Sequence, residues 1–226
     1  RMGNLFGKKK LVWVPVNEKL EDKLQDPNQW TREEDFTGWL TCNDASKFGK
    51  AIEASPSAVI NLSFNGIGDT EIKNIAKGFK KNVFCSCLVL SNNFIHADGC
   101  QKLMEEIMTN SESSVESLDL RNNCIGPGGA KAVAQWIKQH KELKEVYLSW
   151  NSLGNEGLYH IVQALGSKHR EARIDVSYGG YDRSEKCTED GDETDWDEMD
   201  EKLKKMGIKT KDFGFPPRGL IGYPEA

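Results

Sequence analysis

No stretch of the chain is apolar for long enough to cross a bilayer. The longest strongly apolar run near the N-terminus, Leu11-Val12-Trp13-Val14-Pro15-Val16, falls far short of the ~20 residues of a spanning helix and short of a signal-peptide core. Neither a membrane span nor a secretory signal is read. Positive charge is not in excess: 30 Lys and Arg stand against 35 Asp and Glu, a net charge of −5. The molecule as a whole therefore exerts no electrostatic pull on nucleic acid, which is set aside as a partner. Cysteine is unpatterned. The six, at 42, 85, 87, 100, 124 and 187, form no CxxC pair and have no histidine at metal spacing. No metal or cofactor is expected, and the thiols are read as reduced and intracellular.

What is present is a repeat. Four segments share the pattern apolar-x-apolar-x-x-Asn-x-apolar: Ile60-Asn61-Leu62-Ser63-Phe64-Asn65-Gly66-Ile67, Leu88-Val89-Leu90-Ser91-Asn92-Asn93-Phe94-Ile95, Leu118-Asp119-Leu120-Arg121-Asn122-Asn123-Cys124-Ile125 and Val146-Tyr147-Leu148-Ser149-Trp150-Asn151-Ser152-Leu153. The asparagines fall 28, 30 and 28 residues apart, long enough for a helix in every unit. Six residues after Asn93, Asn123 and Asn151 comes Gly99, Gly129 or Gly157, with Glu71 in that slot after Asn65. The pairs Ile75/Phe79, Leu103/Ile107, Val133/Ile137 and Ile161/Leu165 then stand at i, i+4, one face of a helix. A short strand alternates with a helix, and each unit buries its apolar face only against its neighbours.

This pattern resembles the ribonuclease-inhibitor type of leucine-rich repeat, over about residues 36 to 178. The resemblance implies an α/β fold: a right-handed horseshoe solenoid, with a parallel β-sheet on the concave face and helices on the convex face. Asn65, Asn93, Asn123 and Asn151 are expected to form a ladder, their buried amides bonding backbone groups of adjacent coils. Partial copies are read at both ends. Leu40-Thr41-Cys42-Asn43 with Gly49 and Ile52 is the upstream one, and Ile174-Asp175-Val176-Ser177-Tyr178, without the asparagine, is the downstream one.

Three regions follow: an N-terminal arm and cap over 1–35, the repeat domain over 36–180, and over 181–226 an acidic linker, a C-terminal capping helix and a Gly/Pro-rich tail. Residues 182–201 carry eleven acids against Arg183 and Lys186. Trp196, Met199, Leu203 and Met206 stand at i, i+3, i+7 and i+10, one stripe of an amphipathic helix. It is read as the cover of the solenoid's open end, ahead of a docking helix for a partner. A calcium loop starting at Asp190 is rejected, because Asp195 occupies the position where such a loop needs glycine.

Strand side chains alternate faces, so the positions between the inward leucines point to the concave surface. Aromatic residues and arginines gather there toward the C-terminal half. Asp119, Arg121, Tyr147, Trp150, Arg173, Asp175 and Tyr178 are the candidate partner-binding residues, Tyr, Trp and Arg being the types that dominate interface hot spots. The competing reading pairs Arg121 with Asp119 or Asp175 inside the strip. Catalysis finds little support. His96, His140, His160 and His169 share no surface with a nucleophile and an acid and are read as solvated, and Cys85, Cys87 and Cys124 as small structural hydrophobes.

If Met2 is the initiator, Met2-Gly3-Asn4-Leu5-Phe6-Gly7 resembles an N-myristoylation signal, with Gly3 as acceptor and Lys8, Lys9 and Lys10 as a second, electrostatic anchor. The expectation is a non-enzymatic scaffold, monomeric on its own, binding a protein partner on its concave face, with peripheral membrane contact through Gly3 and Lys8 to Lys10. A cytoplasmic location, membrane-associated or cytoskeletal, is favoured over a mitochondrial one. The alternative is a structural subunit of a large ciliary, cytoskeletal or mitochondrial assembly whose neighbours order its tails. Relatives in the resembled group differ: ribonuclease inhibitors and the GTPase-activating type for Ran carry more repeats, and the actin- and tropomyosin-binding N-terminal regions of tropomodulins have no counterpart in residues 1 to 35.

Overall fold

The computed structural model describes residues 20, 22–40, 43–140, 142–169, 171–181, 187–189, 192–194 and 196–205, the two short segments between 187 and 194 by backbone alone. Six three-residue strands, β1 (Glu33–Asp35), β2 (Val59–Asn61), β3 (Cys87–Val89), β4 (Ser117–Asp119), β5 (Glu145–Tyr147) and β6 (Arg173–Asp175), form one sheet in chain order. All neighbours are parallel and in step, Ile60 opposite Leu88, Leu88 opposite Leu118 and Leu118 opposite Val146. Helices α1 (Ala45–Ala54), α2 (Asp69–Phe79), α3 (Ala97–Thr109), α4 (Gly126–Gln139) and α5 (Gly154–Ala164) make the return crossings. This is an α/β leucine-rich-repeat solenoid.

Burial follows the repeat. Ile60, Leu62, Leu88, Leu90, Leu118, Leu120, Val146, Leu148, Ile174 and Val176 are buried on the inward face, against Ile75, Phe79, Leu103, Ile107, Val133, Ile137, Ile161 and Leu165 from the helices. A strand of three residues offers too few ladder bonds to stand alone, so its stability comes from this shared core. The glycines of the helices have a packing reason. A Cβ on Gly99 would lie 2.6 Å from Ile72 Cγ2, and one on Gly157 would lie 3.0 Å from Ala130 Cβ. Between α1 and α2 the close approach moves to another pair, where a Cβ on Gly78 would lie 2.2 Å from the Gly49 carbonyl oxygen. Glu71, free of that contact, instead accepts a 3.0 Å hydrogen bond from the Gly68 N–H and caps α2.

The asparagines bridge coils. Asn93 Oδ1 accepts from the N–H groups of Asn65 and Ile67, both at 3.0 Å, while its Nδ2 donates to the carbonyls of Leu62 and Leu90 at 3.0 and 2.9 Å. Asn123 donates to Leu90 and Leu120, and Asn151 to Leu120 and Leu148. Asn65 closes the series on Phe36 and Leu40 of the first coil.

The upstream partial copy sits elsewhere than its motif suggests. The first strand is Glu33–Asp35, upstream of the boundary read at 36, and Glu34 lies opposite Ile60. Phe36 and Trp39 therefore fill the places of Leu62 and Asn65, and Asn43 falls in the turn before α1. Glu34 holds a normally apolar place, buried, because it accepts from the Thr31 N–H at 2.6 Å and the Thr31 hydroxyl at 3.0 Å and is paired with Lys23. At the other end, the hairpin β7 (Cys187–Glu189) and β8 (Asp192–Thr194) leads to helix α6 (Trp196–Lys205). Both β7 and α6 lie against α5, and Trp196, Met199 and Leu203 are buried, with Trp196 tilted 69° against Tyr181. Met206 lies outside the described residues.

Candidate functional site

Each strand buries its middle residue and turns the outer two away from the helices. On β4 to β6 those outer positions build one continuous strip. Tyr147 lies between two guanidinium groups, Arg121 at 5.0 Å and Arg173 at 5.4 Å from the ring centroid, each within cation–π range. Its hydroxyl donates to Glu145 at 3.1 Å. Burial, followed by the Glu145 charge, raises the Tyr147 pKa and keeps the phenol protonated as a donor.

Arg121 forks onto Asp119, Nε to Oδ1 at 2.9 Å and Nη2 to Oδ2 at 2.6 Å. This is the internal pairing that competed with partner binding, and it is made with Asp119, not Asp175. Asp119 is buried, whereas the Arg121 side chain is 49% exposed; the aspartate aims the arginine rather than presenting itself. Asp175, half-buried at the end of β6, accepts from the Ser177 N–H at 3.0 Å and the Ser177 hydroxyl at 2.7 Å. All three carboxylates of the strip have donors within it.

Trp150 and Tyr178 stand at the C-terminal edge of the same strands. Their rings stack, centroids 4.4 Å apart and planes 15° from parallel, and both are about half exposed, 49% and 53%. Next to Trp150 is an open depression of 530 Å³ lined by Ser91, Asn92, Arg121, Asn122, Ser149 and Trp150. The structure therefore brings all seven sequence-selected residues into one region of the sheet. It also adds Asn92 and Asn122, joined by a 2.8 Å amide bond. These were legible as concave positions, but neither aromatic nor charged type marked them.

Burial, with Cys87 next, pushes the Cys85 thiol up to about 12, and burial with the charges of Glu145, Asp119 and Glu116 also raises Cys87, so neither is a thiolate nucleophile. Among the described residues no cluster of three His, Cys, Asp or Glu is arranged to hold a metal. Two of the histidines read as solvated are buried: His160 on α5 and His169 in the turn after it. His169 accepts at Nδ1 from the Gly166 N–H at 3.1 Å, and its Nε2 lies 3.0 Å from the His140 carbonyl oxygen. The helical pattern marks only apolar types, so these places carried no signal. Gly3 and Lys8 to Lys10, the acylation and basic-anchor reading, lie outside the described residues, as does the tail beyond 205. No described helix is long and apolar enough to cross a membrane.

Known proteins place this geometry. The family model described as Leucine Rich repeat matches residues 112–134 and 140–162, the coils of β4 and β5. Leucine-rich repeat-containing protein 45 of Gallus gallus is 36% identical over 81 residues, which is 35% of this chain and 12% of that protein; the match thus spans about an eighth of the relative's length. In structure, the tropomodulin C-terminal domain of Caenorhabditis elegans superposes with a TM-score of 0.53 at 16% identity, over 66% of this chain and 90% of that one. Leiomodin-1 Actin-Binding Site 2 gives a TM-score of 0.45 at 18% identity, over 54% and 72%. Two coils matched by the family model, and the same strand, asparagine and helix pattern in their neighbours, show that this chain carries leucine-rich repeats.

Proposed function

We propose that this protein is a non-enzymatic interaction module that holds a protein partner on the helix-free face of β4 to β6 and the adjoining strand edge. The observation that supports this best is the arginine–tyrosine–arginine stack around Tyr147, continued by the half-exposed Trp150–Tyr178 pair. Large planar side chains held in place by neighbours lose little entropy on binding, and they sit beside polar groups that fix orientation. A solvated face needs no such arrangement.

Affinity capture from native cell extract, wild type beside a Tyr147→Ala/Trp150→Ala variant of matched stability, tests the reading. The expected result is a protein retained by the wild type and lost, by tenfold or more, from the variant. Equal recovery on both would remove the strip from the account and leave α6 and its acidic neighbourhood as the surface to test.

A further inference from the structure

The residue before each ladder position adopts a left-handed backbone: Phe64 (φ 56°), Asn92 (57°), Asn122 (52°), Trp150 (61°) and Tyr178 (55°). Side chains with a Cβ enter this region reluctantly, and Asn does so most readily among them because its short amide bonds the local backbone. Asn92 and Asn122 are what the turn itself favours. Phe64, Trp150 and Tyr178 all work against it with exposed rings, and of the three it is Trp150 and Tyr178 that stack on each other beside the Arg121 depression. An aromatic kept in a strained backbone and left in solvent points to a use outside the fold.

The surroundings state what it would meet. Among the six residues lining the depression beside Trp150, the one charged group is Arg121; the others contribute amides, hydroxyls and the indole. The fork onto Asp119 uses Nε and Nη2 of Arg121, so the Nη1 end remains for an acceptor. Arg173, the second cation of the strip, stands exposed on the far side of Tyr147, while the strip's own carboxylates are occupied by internal donors. Inside the depression the charged end presented is cationic, although the strip sets three carboxylates against two guanidiniums and the molecule as a whole is negative.

Resting on the binding function proposed above, we propose that the Trp150–Tyr178 stack and Arg121 receive an acidic segment of the partner. One partner carboxylate is seated against Arg121 in the depression, and a neighbouring apolar side chain lies on the stacked rings. Carboxylate on guanidinium supplies direction, and the ring face supplies buried area.

A random peptide library displayed on phage, panned on the full chain, tests this. The expected result is enrichment of peptides that carry Asp or Glu within a few residues of a proline or aliphatic side chain. Their binding falls at least tenfold in Trp150→Asn/Tyr178→Asn and in Arg121→Gln. The asparagine variant is chosen because it suits the left-handed turn: its melting temperature is expected to stay level or rise by about 2–4 °C, so its loss of binding is not a loss of fold. A clear fall in that temperature would overturn the strain argument. Enriched peptides that lack acids, bind both variants and yet are lost by Tyr147→Ala would overturn the acidic-segment proposal and leave the strip as a binding face. Peptides insensitive to all three variants would overturn both, and a library with no enrichment would overturn the proposal, with the capture experiment deciding the wider reading.

Discussion

Single side chains carry two opposite kinds of work here. Asn123 is buried and satisfied on both ends of its amide, accepting from Ile95 and donating to carbonyls of Leu90 and Leu120. Removing it leaves buried backbone groups of two coils without partners, at roughly 1–3 kcal/mol for such groups. Asn123→Ala should therefore lower the unfolding free energy by about 2–4 kcal/mol, seen in urea denaturation. Gly78→Ala places a Cβ 2.2 Å from the Gly49 carbonyl oxygen. Both partners are backbone, so the helices must separate, and the expected loss is about 1–3 kcal/mol in the same measurement. The ladder was readable because asparagine repeats at a fixed offset from the apolar pair. The Gly49–Gly78 contact was not, since its two members fall at different offsets, and Asn43 misled because it follows an apolar residue at the ladder spacing without lying behind a strand.

At the scale of elements, the helix ends form a second ladder on the opposite edge of the sheet. Asn82 donates to the carbonyls of Ile52 and Ser55, and Asn110 to those of Phe79 and Asn82, each reaching back one coil. In the last coils the role passes to histidine: His169 Nε2 reaches the His140 carbonyl oxygen, while its Nδ1 accepts from Gly166. This pattern fixes His169 as neutral with the proton on Nε2. Burial, foremost, lowers the pKa of both His140 and His169; around them Lys168 pushes further down, and Glu116 and Glu142 near His140 push up. A folded state that refuses protons loses stability where the unfolded chain accepts them. Stability is thus complete above the ordinary histidine value of about 6.5 and declines as pH falls below it toward the lowered folded values. The melting temperature should fall from pH 7.5 to 5.5, and the fall should shrink in His140→Asn/His169→Asn, which restores the side chain used by the earlier coils. An unchanged pH profile in that variant would remove the histidines as its source. Sequence periodicity located helices α2 to α5 and their inward pairs, but this ladder mixes asparagine with histidine at spacings of 28 to 30, so no single residue type betrayed it.

Across the whole molecule, an array of coils is stable only if its ends are closed, because each terminal repeat has one apolar face without a neighbour. Phe36, Phe48 and Trp30 close one end as an aromatic cluster, with Phe36 and Phe48 rings 4.9 Å apart at 88°. Helix α6 closes the other through Trp196, Met199 and Leu203. Leu203→Asp would bury a charge without a partner at that closure and should unfold the last coils first, read as a melting temperature lower by 8 °C or more. Those coils carry Tyr147, Trp150, Arg173 and Tyr178, so the closing helix also holds the proposed binding face in shape. The repeat grammar made the architecture and the strip's location legible. The internal bonds that occupy Asp119 and Asp175 were not, since they depend on which reachable donor each acid meets.

Hydroxyl-radical footprinting of the captured complex against the free protein tests the central claim most directly, because the reporters are the aromatic side chains themselves. Trp150, Tyr178 and Tyr147 should lose oxidation on complex formation by several-fold. Phe84, 54% exposed ahead of β3 at the opposite end of the strands, should react at an unchanged rate. Protection of Phe84 or of α6, with Trp150 and Tyr178 as reactive as in the free chain, would contradict the account.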